Sequence, residues 1–294
     1  MKIGVLEFGF GGKEENSLVK LRNVFDFALQ ADELGYERFW LAEHHMYSRR
    51  LAWGNPISLV PVIAGFTSRI KVGTGGVLLR VHNPLDVASQ FKLWNSIYND
   101  RIDLGLANGG SFNNEMFRVT NPEKETFENR LKDLVGYLLD EESLLEKQIV
   151  IPPYSGSVPD IWGLSTSAFG FHRSLKFGMN YVRSVFHEKA ELDPNPEGLL
   201  QFKKDFENTH HRKVKTILAV SGICLKDPRK LRDVKKEALS GEQNHFIGDL
   251  AYFRDKLPEL AEKYQMDEIL FRVMNLGQEE KLETLESLAE FLGD

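Results

Sequence analysis

The chain contains a single cysteine, Cys224, among 294 residues. One thiol cannot close an internal disulfide or build a multi-thiolate metal centre, and a reducing compartment suits it. Long apolar runs are also missing: no stretch approaches the roughly 18 consecutive apolar residues of a membrane-spanning helix. The opening MKIGVLEFGFGG has one lysine, a short apolar run and then glycines, which lacks the h-region and cleavage site of a secretory signal. Basic charge is in deficit, with 37 Lys and Arg against 43 Asp and Glu and a formal net charge of −6. Acids and bases are interspersed, which argues against the basic face that nucleic acid requires. No Pro/Ser/Gly-rich linker divides the chain. The expectation is a cytoplasmic protein with no nucleic-acid or membrane partner, folded as one domain over residues 1–294, with 42% apolar residues to fill its core.

What is present is an alternation. Short apolar runs rich in β-branched residues are each followed by a longer amphipathic stretch, the α/β pattern. The runs are Lys2–Phe8, Arg38–Ala42, Lys71–Leu79, Ile102–Ala107, Asp160–Leu164, Asn180–Val185, Lys215–Val220 and Asp267–Val273. After the first, Leu18, Leu21, Val24, Phe25, Ala28, Leu29 and Leu34 recur at three- and four-residue spacings, and Gly35 stands where a left-handed helix cap belongs. The last helix, Glu279–Leu292, aligns Leu282, Leu285, Leu288 and Phe291. Eight such units predict a closed (β/α)8 TIM barrel, an α/β fold of roughly 250 residues. A doubly wound open sheet is the alternative, but Gly9 and Gly11 fill only two positions of its G-x-G-x-x-G fingerprint and Glu14 takes the third. That glycine-rich segment reads as a mobile loop. The helix predicted over Asn55–Phe66 is apolar around most of its circumference, so it is either buried under a long loop or part of a subunit interface.

Active sites of such barrels lie at the C-terminal ends of the strands. The residues there are Glu43-His-His45, then Gly73-Thr-Gly-Gly76 with Arg80, His82 and Asn83, then Asn108–Asn114, then Ser165-Thr-Ser167. Adjacent residues of an extended segment face opposite ways, so His44 and His45 cannot share one ion without a turn, and no H-E-x-x-H or Cys-pair motif completes a zinc site. One pocket-facing imidazole suffices for acid/base work, while both could equally satisfy backbone groups at the rim. Ser165, Thr166 and Ser167 precede a helix, where a hydroxyl can cap. Three in a row exceed what a cap needs, and a helix N-terminus suits a phosphate. Glycines in the middle of a strand point either to a flat ligand against the backbone or to small-residue packing in the barrel. Phe8, Phe10, Phe112, Phe117 and Phe169 are candidate pocket walls or ordinary anchors.

Together these residues resemble the bacterial luciferase-like monooxygenase family of flavin-dependent oxidoreductases. The likeness runs through Ala31–His45, Thr67–Leu79, His82–Ala88 and Arg101–Ala107, and more loosely through Ile161–Ser167 and Asp267–Arg272. It implies a barrel that binds reduced FMN, or in some branches a deazaflavin, and assembles as a homodimer. In the monooxygenase branch a separate NAD(P)H-dependent flavin reductase supplies the reduced FMN, which reacts with O2 to a C4a-hydroperoxide that oxygenates an organic small molecule. His44 matches the family's catalytic histidine, with proton transfer as its implied role. The resemblance places Thr74, Gly75, Gly76, Ala107, Asn108, Leu164, Ser165, Thr166 and Ser167 around the cofactor. Of these, Ser165–Ser167 match the phosphate turn, and Gly75 and Gly76 fall where the family often has a non-proline cis peptide. Bacterial luciferase has a cysteine and an arginine where this chain has Ala107 and Asn108, and Cys224–Asp267 is short for the family's lid, so light emission is not implied. Deazaflavin-dependent hydride transfer and flavin binding without turnover are the competing functions.

Overall fold

The structure is a computed structural model that describes the chain apart from residues 46–48, 110–113, 122, 188–191, 239–243, 275–276 and 293–294. Its strands are β1 (Ile3–Glu7), β2 (Arg38–Leu41), β3 (Lys71–Thr74), β4 (Val77–Leu78), β5 (Ile102–Ala107), β6 (Asp160–Ser165), β7 (Asn180–Ser184), β8 (Thr216–Cys224), β9 (Phe246–Gly248) and β10 (Glu268–Val273). They pair in parallel in the order β1-β2-β3-β5-β6-β7-β8-β10, and β10 pairs back onto β1. The result is the closed eight-stranded (β/α)8 barrel that the alternation predicts.

The principal helices outside it are α1 (Ser17–Leu34), α2 (Val60–Phe66), α3 (Pro84–Ile97), α4 (Asn114–Thr120), α5 (Phe127–Leu139), α6 (Glu141–Glu146), α7 (Gly170–Phe177), α8 (Pro196–His210), α9 (Pro228–Ala238), α10 (Leu250–Tyr264) and α11 (Gln278–Leu288). Local chemistry sets their ends. Asn16 caps α1 through Leu18 N, and Gly35 closes it at φ 99°. Asn83 caps α3, with Pro84 in its first turn and Asp86 on its positive end. None of the described helices is long and apolar enough to cross a membrane.

Five expectations need correction. The third strand is not continuous over Lys71–Leu79: it breaks after Thr74 at a cis Gly75–Gly76 bond and resumes as β4, which pairs with β5. Gly73 lies within β3, whereas Gly75 and Gly76 stand just beyond its C-terminal end rather than in its middle. The seventh predicted strand, observed as β8, runs on past Val220 to Cys224 and carries β9 on Gly222–Cys224, where Gly222 lets the Phe246 carbonyl approach within 2.1 Å of where a Cβ would sit. The Asn55–Phe66 segment starts as a single 3-10 turn, and the last helix ends at Leu288 before another such turn. The glycine-rich segment after β1 is pinned to the chain beyond β2. Phe10 bridges Leu51, Gly11 N donates to Arg50 O at 2.9 Å, and Ala52 N donates to Gly9 O at 2.8 Å.

Alternation along each strand sorts side chains inside from outside. Ile3, Val5, Phe39, Leu41, Val72, Ile102, Leu104, Leu218 and Ile269 face the helices. Leu6, Phe8, Trp40, Ala42, Trp162, Val182, Phe186, Ile217, Ala219 and Leu270 fill the interior. Below this plug lies a buried ionic layer. Arg38 donates to Asp103 and to Glu268, and both Trp40 Nε1 (2.9 Å) and Trp162 Nε1 (3.2 Å) donate to Asp103. Burial works against the Arg38 charge, but Asp103 and Glu268 outweigh it and hold the guanidinium protonated. Gly4 makes the room, because a Cβ there would lie 2.4 Å from Arg38 Cγ.

Candidate active site

Continuing the inward-facing register upward leads to the barrel mouth. On β2 the positions Arg38, Trp40 and Ala42 are followed by His44, on β10 Glu268 and Leu270 by Arg272, on β8 Ile217 and Ala219 by Ser221, and on β7 Val182 by Ser184. His44 packs on Phe8 at 4.5 Å between ring centroids, with Phe10 at 6.2 Å. Its Nδ1 is buried without a hydrogen-bond partner. Burial first, then the positive field of Arg272 and the neighbouring His187, push His44 down to about 4, so at neutral pH it is an uncharged imidazole. A neutral ring with an unspent nitrogen can accept or deliver a proton.

Glu43 and His45 turn away from this mouth, as strand alternation requires. The Glu43 side chain is fully buried and ties three segments together. His45 Nε2 and His82 Nε2 (2.7 Å) donate to Oε1, and Leu78 N donates to Oε2 at 2.9 Å. A carboxylate only accepts, so both imidazoles present Nε2–H to it. Burial opposes the charge, but the bonds from His45 and His82 prevail and hold the carboxyl below its ordinary value. The ligand-type atoms of Glu43, His45 and His82 lie within 4.8 Å of one another, a grouping that spacing in the sequence does not reveal. The contacts are those of a hydrogen-bonded brace that fixes the end of β2 against β4.

The cis bond between Gly75 and Gly76 lies next to His44's strand, with Gly75 N donating to Leu41 O at 2.8 Å. A Cβ on Gly75 would stand 2.7 Å from Leu6 Cδ1 and one on Gly76 2.8 Å from Gly105 O, so both positions exclude a side chain. Thr74 is buried and donates its hydroxyl to Gly105 O at 3.0 Å, so that group serves the barrel. Ala107 pairs with Leu78, Asn108 is exposed beyond it, and Leu164 joins the interior cluster opposite Val182. Gly110, Ser111, Phe112 and Asn113 lie outside the described residues.

Ser165, Thr166 and Ser167 do not cap α7. The capping position is Phe169, and it makes no side-chain capping bond. Ser165 Oγ accepts from Ser167 N at 3.2 Å and donates to Ser167 O at 2.9 Å, which shapes the turn and leaves Thr166 exposed at its tip. These observations fit a flavin mononucleotide: an unpartnered imidazole nitrogen above the interior plug, and an uncapped helix start with an exposed hydroxyl for a phosphate. Sequence reasoning missed His187, Ser184, Ser221, His245 and Arg272. Strand parity, which needs the register, brings Ser184, Ser221 and Arg272 to the mouth, and His187 and His245 lie in the connecting segments after β7 and before β9.

Residues 1–140 match the family described as luciferase-like monooxygenase. A luciferase-like monooxygenase of Escherichia coli is 31% identical over 161 residues, 53% of this chain and 47% of its own length. The luciferase-like monooxygenase family is thus matched by the first 140 residues of the chain. The uncharacterized protein YwcH of Bacillus subtilis is 29% identical over 192 residues, 63% of this chain and 57% of the relative. The chain thus spans about half the length of the curated relatives it matches. Among solved structures, apo-MsnO8 superposes with a TM-score of 0.83 at 25% identity, covering 98% of this chain and 97% of that one. The oxygenating constituent of 3,6-diketocamphane monooxygenase from Pseudomonas putida, solved with FMN, has a TM-score of 0.75 at 13% identity over 99% and 97% of the two chains, a likeness of fold.

Proposed function

We propose that this chain is a two-component monooxygenase that uses reduced FMN and O2 to oxygenate an organic small molecule. The observation that carries the reading is His44: a neutral imidazole with an unpartnered buried Nδ1, set against Phe8 at the barrel mouth beside Gly75 and Gly76. When bound, reduced FMN supplies the electrons and the centre at which oxygen is activated. Gly75 and Gly76 accept its ring, with Ala107, Asn108 and Leu164 along the same rim. Thr166 and the turn of Ser165 and Ser167 take the phosphate at the start of α7. His44 moves one proton at Nδ1, and Phe8 and Phe10 keep water from it. In this reading a cytoplasmic NAD(P)H-dependent flavin reductase delivers the flavin, and residues 1–294 act as one domain.

Assembly as a homodimer belongs to the same reading. Val62 (47% exposed) and Phe66 (38%) on α2 and Leu93 (44%) and Ile97 (56%) on α3 leave apolar surface in water. The two helices are joined where Tyr98 Oη donates to Pro61 O at 2.9 Å.

Equilibrium binding of FMN against riboflavin, with Thr166→Ala, tests the phosphate turn. FMN is expected to bind about tenfold or more tightly than riboflavin, with the difference shrinking in the variant. Reduced FMN mixed with oxygen and the protein is expected to reoxidise with a time course distinct from that of free FMN, and His44→Ala to abolish the distinction. Binding of a deazaflavin in place of FMN would instead support hydride transfer, and FMN binding with unaltered reoxidation would leave a carrier without turnover.

A further inference from the structure

The mouth also holds polar groups that proton transfer at His44 does not use. Arg272 ends β10 on its inward face and is 7% exposed. Its Nη1 donates to Ser221 Oγ at 3.2 Å, and the same hydroxyl lies 3.1 Å from His245 Nδ1. The guanidinium stands 4.3 Å above the Phe8 ring and 5.5 Å from that of Phe186. On the neighbouring strand, Ser184 is 5% exposed and its Oγ has no hydrogen-bond partner. Among the described residues, the carboxylate whose field reaches Arg272 is Glu7, which turns outward from β1 and is held by Lys281 Nζ at 2.6 Å and Gly9 N at 2.7 Å. Burial and the Arg272 charge depress His245 to about 4, so it offers a neutral hydrogen-bonding ring. Arg272 itself, lowered to about 10 chiefly by burial, stays cationic at neutral pH.

We infer that the substrate carries a carboxylate, seated on Arg272 with Ser221, Ser184 and His245 around it, and that its apolar body lies against Phe8 and Phe186. A planar guanidinium presents parallel N–H groups that match a carboxylate, and the low-dielectric aromatic walls strengthen that bond while favouring an apolar remainder. A buried hydroxyl without a partner is costly unless something it binds arrives, and Ser184 is such a group at this level of the barrel. The word substrate rests on the monooxygenase reading; the anion seat rests on these side chains.

Hexanoate and 1-hexanol, equal in chain length, are titrated into the protein by calorimetry, and FMN binding is followed separately by flavin fluorescence. Hexanoate is expected to bind about tenfold or more tightly than 1-hexanol. Arg272→Gln is expected to abolish that preference, Arg272→Lys to restore part of it, and Ser184→Ala to reduce it a few-fold, with FMN affinity unchanged throughout. Equal affinity for the two probes, no binding of either, or a preference that survives Arg272→Gln overturns the carboxylate seat. A preference lost in Arg272→Gln in a protein that does not bind FMN keeps the seat and overturns the flavin reading. Melting followed by circular dichroism checks each variant; if Arg272→Gln does not fold, an unchanged preference in Arg272→Lys and Ser184→Ala together overturns the proposal.

Discussion

The two ends of the barrel interior are both polar, yet they are built on opposite terms. At the base, Arg38, Asp103 and Glu268 satisfy one another and the two indole N–H groups under a plug of aromatic and aliphatic side chains. At the mouth, which His44 reaches six positions beyond Arg38, His44 Nδ1 and Ser184 Oγ are buried without partners. The same register thus delivers charge into both layers, and what separates them is whether the donors and acceptors balance. A balanced buried layer contributes to a unique fold, whereas an unbalanced one is tolerated where a ligand completes it.

The base breaks hardest. Arg38→Ala leaves Asp103 and Glu268 buried without their cation and is expected to cost about 3 to 5 kcal/mol of stability, read from the urea midpoint. The mouth breaks in function instead: on the proposed monooxygenase reading, His44→Ala is expected to lower substrate oxygenation by about 10² to 10⁴ while the melting temperature stays near that of the parent. A stability loss like that of Arg38→Ala would erase the distinction drawn above. Glu43→Gln sits between the two, because it weakens the brace that positions the end of β2; about 1 to 3 kcal/mol of stability is expected to go, together with part of the activity.

Acid sharpens the contrast. His44 and His245 have folded-state values depressed to about 4 against an ordinary 6.5. Their contribution to stability is complete above 6.5 and is lost as pH falls through that interval toward 4. Melting temperature measured from pH 7 down to pH 4 should decline, and His44→Ala should decline less steeply; identical slopes would mean that His44 is not held neutral. The smallest effect belongs to Ser184→Ala, expected within about 1 kcal/mol of the parent, because the hydroxyl it removes makes no bond to lose.

The sequence carried most of the barrel, for a physical reason. Each strand is a dense apolar run and each helix an amphipathic one, so the pattern registers locally, as at Leu18–Gly35 and Asp267–Val273. The break in the third strand did not register, because Lys71–Leu79 is apolar on both sides of the two glycines and composition alone cannot show where pairing moves from β3 to β4. β9 escaped for its brevity. At the candidate site, His44 and the Ser165–Ser167 turn were legible because they sit immediately after apolar runs. Arg272, Ser221 and Ser184 were not, since each lies inside or at the end of a strand and reads as an ordinary interruption. Their convergence on one level depends on the stagger of β7, β8 and β10, which no single segment encodes. The partnership of Glu43 with His82 is likewise a product of closure, joining residues 39 positions apart.

One consequence lies in the order of two letters. Because alternation sends Glu43 outward and His44 inward, the dipeptide has a handedness that its composition lacks. Exchanging the two residues would keep the formula, the mass and the charge of the chain, yet it would put an anion over Phe8 and leave His45, His82 and Leu78 N facing an imidazole. A scrambled pair is therefore a more exacting probe than a deletion, since everything except direction is conserved.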